Sequence, residues 1–282
     1  MVESPADRLR AARGFILDLD GTLVLGDRAG NRLRPLPGAL ELVAWLGERG
    51  LPYRIFTNGT GHSPGEYARM LRRLGFRLSG TAVMTPASSA ADLFVRRGHR
   101  RVLALAAGLV APLREAGIEV VPPAGRPRVD AVLVGQFREF TMDTLEAACH
   151  AVWDGAAVYS SSQGTFYATA DGRALGTSRA ISAMIASVTG CRVELVGKPS
   201  RHALRAAGRQ LGVPASQLAV VGDDPALEVP MAHRGRALAV AVGTGLGAAD
   251  AFDHLPEARR PHLHLRGVDE LLAHCVEAYR AG

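Results

Sequence analysis

The chain has 282 residues, 48% apolar and 21% charged, a balance that argues against wholesale disorder and fits one large or two modest domains. Its formal charge is +6, from 33 basic and 27 acidic residues, and only one of the basic residues, Lys198, is a lysine. Arginine serves almost any surface role open to lysine, so the lone exception marks a place where a compact ammonium is wanted.

The opening segment, MVESPADRLRAARG, has no apolar h-region or small-residue cleavage site, and no secretory leader is expected. The first clear element is Gly14–Asp18, an apolar run of the kind that forms a strand buried on both faces. A helix is predicted over Pro37–Arg49, closing at Gly50, then a strand over Pro52–Phe56 and a helix over Pro64–Leu74 before Gly75. Strand then helix, repeated, predicts an α/β domain with a parallel sheet. The middle of the chain carries a second α/β set. Its strands fall near Arg101–Leu105, Glu119–Val121, Ala131–Val134 and Val158–Ser160, and its helices near Gly108–Ala116 and Met142–Val152. The pattern resumes with helices near Ser178–Val188, Ser200–Leu211 and Leu227–Arg234, strands near Val193–Val196, Leu218–Val221 and Ala237–Val242, and a last helix after Gly267. No apolar run approaches the ~18–20 residues of a membrane span. Cys149, Cys191 and Cys275 lie far apart without metal-ligand spacing and read as reduced thiols of a cytoplasmic protein.

Asp18-Leu19-Asp20-Gly21-Thr22 follows the first strand directly. Two carboxylates one residue apart are too polar to prolong a buried strand, so both acids stand at its C-terminal edge, where open parallel sheets bind ligands. Such a pair suits a carboxylate nucleophile beside a general acid/base, with a hard divalent cation offsetting their repulsion. Thr57 follows the strand ending at Phe56 and offers a hydroxyl and nearby N–H groups to a phosphate oxygen. Lys198 lies in Val196-Gly197-Lys198-Pro199, again beyond a strand, and Gly222-Asp223-Asp224 ends a third, with Glu228 about one helical turn on. Taken singly, each has a plainer reading: a solvated turn, a helix cap, an exposed lysine, or N-cap acids. If the four strands are neighbours in one parallel sheet, these groups converge on one crevice.

The order DxDGT, TN, GKP and GDDxxxxE, running the length of the chain, resembles the haloacid dehalogenase-like hydrolases, most of which are Mg²⁺-dependent phosphatases. The resemblance implies a Rossmann-like α/β parallel-sheet core over residues 1–98 and 189–282, with an inserted α/β cap of the C2 type over 99–188. It implies that Asp18 is the nucleophile that forms an aspartyl-phosphate and that Asp20 protonates the leaving group and then activates water. Thr57 and Lys198, with the Asn58-Gly59 turn, would hold the phosphoryl group. Mg²⁺ would sit on Asp18, the backbone carbonyl of Asp20, and Asp223, supported by Asp224 and Glu228. A small-molecule phosphomonoester would be the substrate, and a homodimer through the cap is the implied assembly.

Spacing narrows the resemblance to subfamily IIA, the C2-capped group that includes phosphoglycolate, pyridoxal-phosphate and p-nitrophenyl-phosphate phosphatases. Residues 21–56 hold one helix and its loops. Residues 58–197, by contrast, exceed a strand–helix linkage by roughly a hundred residues. The segment VLVGQFREFTMDTLEAA resembles that cap's VxGxDxxFxYxxLxxA pattern, and Gly243–Gly247 (GTGLG) stands where these proteins carry a TG turn. A dinucleotide loop is disfavoured there, because the early strand–helix position and the downstream acid are missing. Two departures concern the cap: Gly164 stands where relatives carry an Asp, and Phe137 where they carry another acid. Gly164 leaves room and removes a charge, which implies a bulkier or less cationic leaving group.

Other readings are weaker. A dehalogenase has no need of Asp20, and a phosphotransferase or phosphomutase on the same fold is the alternative, although phosphomutases and phosphonate-cleaving enzymes usually carry their cap between the first two motifs. A nucleic-acid-binding module is disfavoured by short basic clusters (Arg69–Arg77, Arg96–Arg101) and 5% aromatics. A non-catalytic regulator is disfavoured because every required carboxylate is present. His262 and His264 read as surface or satisfied residues, whereas His62 lies close enough to Thr57 to approach a substrate.

Overall fold

The computed structural model describes residues 5–26, 33–169, 172–246, 252 and 255–280. Residues 1–4 of the opening segment and Gly247 of the GTGLG segment lie outside them.

Two parallel sheets carry the fold. The first has six strands in the order Leu263–Leu265, Leu238–Val242, Leu218–Gly222, Gly14–Leu17, Tyr53–Phe56, Val83–Met84. Gly14–Leu17 lies at its centre, with Phe15 registered against both Ala219 and Tyr53. All four residues of that strand are buried. Phe15 and Leu17 enter one apolar cluster and Ile16 the opposite one, so the short apolar run satisfies a sheet covered on both faces. The second sheet has five strands in the order Val193–Leu195, Ala157–Ser160, Ala131–Val134, Arg101–Leu105, Glu119–Val121. Here too the faces divide: Val102 and Ala104 point into one cluster, Leu103 and Leu105 into the other.

Helix signals in the sequence match helices in the structure. The helix Pro64–Arg73 opens on a reciprocal capping box. The Ser63 hydroxyl accepts from the Glu66 N–H, and the Ser63 N–H donates to the Glu66 carboxylate at 2.7 Å. Several elements had no sequence signal. The helix Pro86–Arg97 buries mostly small residues (Ala87, Ser89, Ala90, Ala91) with Leu93 and Phe94, so its apolar stripe is faint in the sequence. The antiparallel hairpin Phe166–Thr169/Gly172–Leu175 is likewise unannounced.

Candidate active site

Three adjacent strands of the six-stranded sheet, Leu218–Gly222, Gly14–Leu17 and Tyr53–Phe56, run parallel and end on one edge. Their following loops supply Asp223, Asp18 with Asp20, and Thr57. Lys198 arrives differently from the sequence expectation. The strand before it, Val193–Leu195, pairs with Ala157–Ser160 in the other sheet. Lys198 therefore stands on the segment that returns from the second sheet to the helix Arg201–Leu211, and three strands rather than four converge in the first sheet.

All the predicted residues, Asp18, Asp20, Thr57, Asn58, Gly59, Lys198, Asp223, Asp224 and Glu228, line one cavity of about 860 Å³. Lys198 is 1% exposed and its ammonium bonds the Asp18 carboxylate and lies 2.6 Å from Glu228 Oε1. The Phe56 ring lies 5.6 Å from its Nζ. Burial works against that charge, but Asp18 and Glu228 outweigh it and hold the ammonium above the ordinary lysine value. Asn58 fixes where the lysine starts: its side-chain amide donates to the Lys198 carbonyl at 3.0 Å and accepts from the Lys198 N–H at 2.8 Å.

The acids are bound together through Thr22, which is fully buried and whose hydroxyl lies 3.2 Å from Asp18 Oδ2 and 3.4 Å from Asp223 Oδ1. Gly21 has φ +87°, and a Cβ there would strike the Asp223 carboxylate, so only glycine lets the turn pass this close. Asp223 Oδ2 also accepts from the Leu246 N–H at 2.7 Å, and Thr244 Oγ1 donates to the Gly21 carbonyl at 2.6 Å. These two residues of the GTGLG segment thus support the acid pair, a role their sequence position did not reveal. Thr57 Oγ1 donates to Asp20 Oδ2 at 3.1 Å and accepts from the Gly59 N–H at 2.8 Å.

Burial, then the neighbouring Asp18 charge, raises Asp20 to about 6. Burial and the facing Asp18 and Glu228 charges push Asp223 well above the carboxylate range, and burial also raises Asp224. Glu228 is raised by burial to about 8 against the pull of Lys198. One ammonium among five carboxyl groups leaves a local excess of negative potential. Asp18 and Asp223, tied to one hydroxyl, form a hard oxygen donor set. Mg²⁺ is usually held by one or two carboxylates and keeps several waters, so this set fits it. Among the described residues, no cluster of three or more His, Cys, Asp or Glu forms a fuller cage.

The second α/β unit closes the cavity with Gln136, Arg138, Glu139, Ser162, Gly164 and Phe166. Apart from Gly164, this wall was not assigned from sequence, because it depends on how loops of the second sheet meet the first. The two units touch at Thr60, whose hydroxyl accepts from the Gln136 N–H at 2.6 Å. His62 also lines the cavity, edge-on to Tyr67 at 5.4 Å. His262 is satisfied as expected, its Nδ1 accepting from the Ala239 N–H at 2.8 Å. His264 packs edge-on against Phe252.

A family model described as haloacid dehalogenase-like hydrolase matches residues 15–119, and a second, HAD-hydrolase-like, matches 195–271. Mouse chronophin is 28% identical over 280 residues, covering 94% of each chain. The bovine phospholysine phosphohistidine inorganic pyrophosphate phosphatase is 28% identical over 256 residues, covering 90% of each. The crystal structure of a 4-nitrophenylphosphatase from Thermotoga maritima superposes with a TM-score of 0.83 at 25% identity, covering 94% of this chain and 98% of that one. Together with the sheet order and the convergence of its motifs, these matches establish that the chain is an enzyme of the haloacid dehalogenase-like hydrolases, subfamily IIA.

Proposed function

We propose that the protein is a Mg²⁺-dependent phosphatase that hydrolyses a small-molecule phosphomonoester through a phosphorylated Asp18. The observation that carries the reading is the pairing of two unlike carboxyl groups. Asp18 faces the Lys198 ammonium, while Asp20, hydrogen-bonded to Thr57, retains a proton to about pH 6. Environments that differentiate two neighbouring acids assign them different roles.

An Asp18 oxygen attacks phosphorus and the bond to the leaving oxygen breaks, with the Asp20 proton passing to that oxygen. Asp20, now a carboxylate, takes a proton from water as the water oxygen attacks phosphorus. The bond to Asp18 then breaks, giving inorganic phosphate and free Asp18. Lys198 restrains Asp18 and, with the Thr57 hydroxyl and the N–H groups of its turn, faces the phosphoryl oxygens. Asp18, Asp223 and the Asp20 backbone carbonyl would hold Mg²⁺, with Asp224 and Glu228 behind them; when bound, it would neutralise the acids and draw charge from the phosphoryl oxygens.

The cap reading rests on the second sheet and its loops, which supply one wall of the cavity. Gly164 lies on this wall with Ser162 Oγ 3.3 Å and the Phe166 carbonyl oxygen 3.5 Å from where a Cβ would stand, and it brings no charge to the cavity, which supports a leaving group without a cationic handle. Met142, Met184 and Val188 stand 65%, 38% and 53% exposed on the helices covering this unit and support a homodimer through it. A cytoplasmic location accords with three free cysteines and with the absence, among the described residues, of a helix able to cross a membrane.

The deciding experiment is hydrolysis of a phosphomonoester panel, including p-nitrophenyl phosphate, sugar phosphates, nucleotides and pyridoxal phosphate, with Mg²⁺ and with chelator. Asp18→Asn is expected to lose at least about 10³-fold in kcat while keeping the wild-type circular dichroism spectrum. Full turnover in this variant would overturn the nucleophile assignment.

A further inference from the structure

A second cavity, of about 340 Å³, opens where the helices Arg201–Leu211 and Glu228–Gly235 meet, and it shares no lining residue with the first. Arg201, Arg205, Arg234 and Arg236 surround it, Leu204 gives it an apolar floor, and Ser216 adds a hydroxyl. Gly235 brings the chain onto that floor, since a Cβ there would strike Leu204. The flanking Arg234 and Arg236 are thereby drawn to the rim. Arg236 ends its helix at φ +57°, a conformation usually given to glycine or asparagine.

Elsewhere in the molecule exposed arginines meet acids: Arg97 pairs with Glu194, Arg101 with Glu119, and Arg96 and Arg209 with Asp92. Among the described residues, Arg201, Arg205 and Arg236 have no carboxylate partner, and Arg234 donates only to the Pro199 carbonyl, at 2.7 Å. Four like charges around one small concavity repel one another unless an anion joins them. Guanidinium forks match phosphate oxygens in pairs, and the volume lies within the range of small-ligand sites, about 300–1,000 Å³. We propose that this pocket binds a small oligophosphate, a ligand carrying two or more linked phosphate groups, independently of the catalytic cavity. Linked phosphates fit better than a single one because the arginines come from two helices and the turn after one of them.

Calorimetric titration of the full chain with methylenediphosphonate, in chelator, tests this without reference to turnover. The expected result is binding tighter than about 1 mM that weakens at least about tenfold in the double variant Arg205→Gln/Arg236→Gln. The charge-matched control Arg114→Gln/Arg126→Gln should retain wild-type affinity, and both variants should retain p-nitrophenyl phosphate turnover when no probe is present. Inorganic phosphate should bind the wild type at least about tenfold more weakly than the diphosphonate. Equal diphosphonate affinity in all three proteins, or no binding to the wild type, overturns the site. Equal affinity for phosphate and diphosphonate overturns the ligand class.

Discussion

Burying an ammonium costs several kcal/mol unless partners replace its water, and Lys198 has the carboxyl groups of Asp18 and Glu228 doing so. Its backbone is gripped as firmly, by both ends of the Asn58 side-chain amide. Asn58 is therefore a positioning residue as well as a member of the cavity wall. Removing its two bonds costs about 1–3 kcal/mol of ordering, so Asn58→Ala should lower kcat by about 10-fold to 100-fold. Asn58→Asp, which keeps the acceptor for the Lys198 N–H, should recover part of the loss. A change confined to KM would instead assign Asn58 to direct substrate binding. Gly164→Asp tests the opposite wall: it should improve KM for amine-bearing phosphate esters by about fivefold and worsen it for phosphoglycolate. An unchanged preference would show that the leaving group does not reach this residue.

At the scale of elements, the turn after the first strand is where backbone and chemistry constrain each other. Gly21 allows a positive φ and lets the Asp223 loop press against the chain. Gly21→Ala should cost about 1–3 kcal/mol in urea unfolding and weaken Mg²⁺ binding about tenfold, because it displaces Asp223 from Thr22. Wild-type unfolding with wild-type Mg²⁺ affinity would mean that the loop yields freely. The sequence marked this turn through its DxDGT spacing. It did not mark the Phe166–Leu175 hairpin, whose part in the cavity wall comes from long-range packing rather than from local periodicity.

Over the whole molecule, the clustered acids couple stability to pH. In the folded, metal-free protein Asp20 keeps its proton to about 6 and Glu228 to about 8, against ordinary values of 3.8 and 4.5. Between those limits the folded state binds more protons than the unfolded chain, so stability is greatest at the acid end and falls as pH rises. Chelator-treated protein should accordingly show a Tm that declines from about pH 5 to pH 8. Mg²⁺, by replacing protons among the acids, should raise Tm most at the alkaline end. A Tm that rises across this range without metal would contradict the arrangement of acids described above.

By itself, the sequence determined the strand–helix alternation, the buried first strand, and the order of acid, hydroxyl, ammonium and acid motifs. Each is written in local periodicity, or in polar residues placed where an apolar run must stop. Family likeness then gave those residues their roles. Tertiary structure decided that Lys198 comes from the return segment of the second sheet, that Asn58 clamps it, and that Thr244 and Leu246 brace the acids. It also gathered four arginines from two helices and a turn around one pocket. These facts depend on contacts between residues as much as 223 positions apart, such as Thr244 with Gly21, and no local pattern of side chains records them.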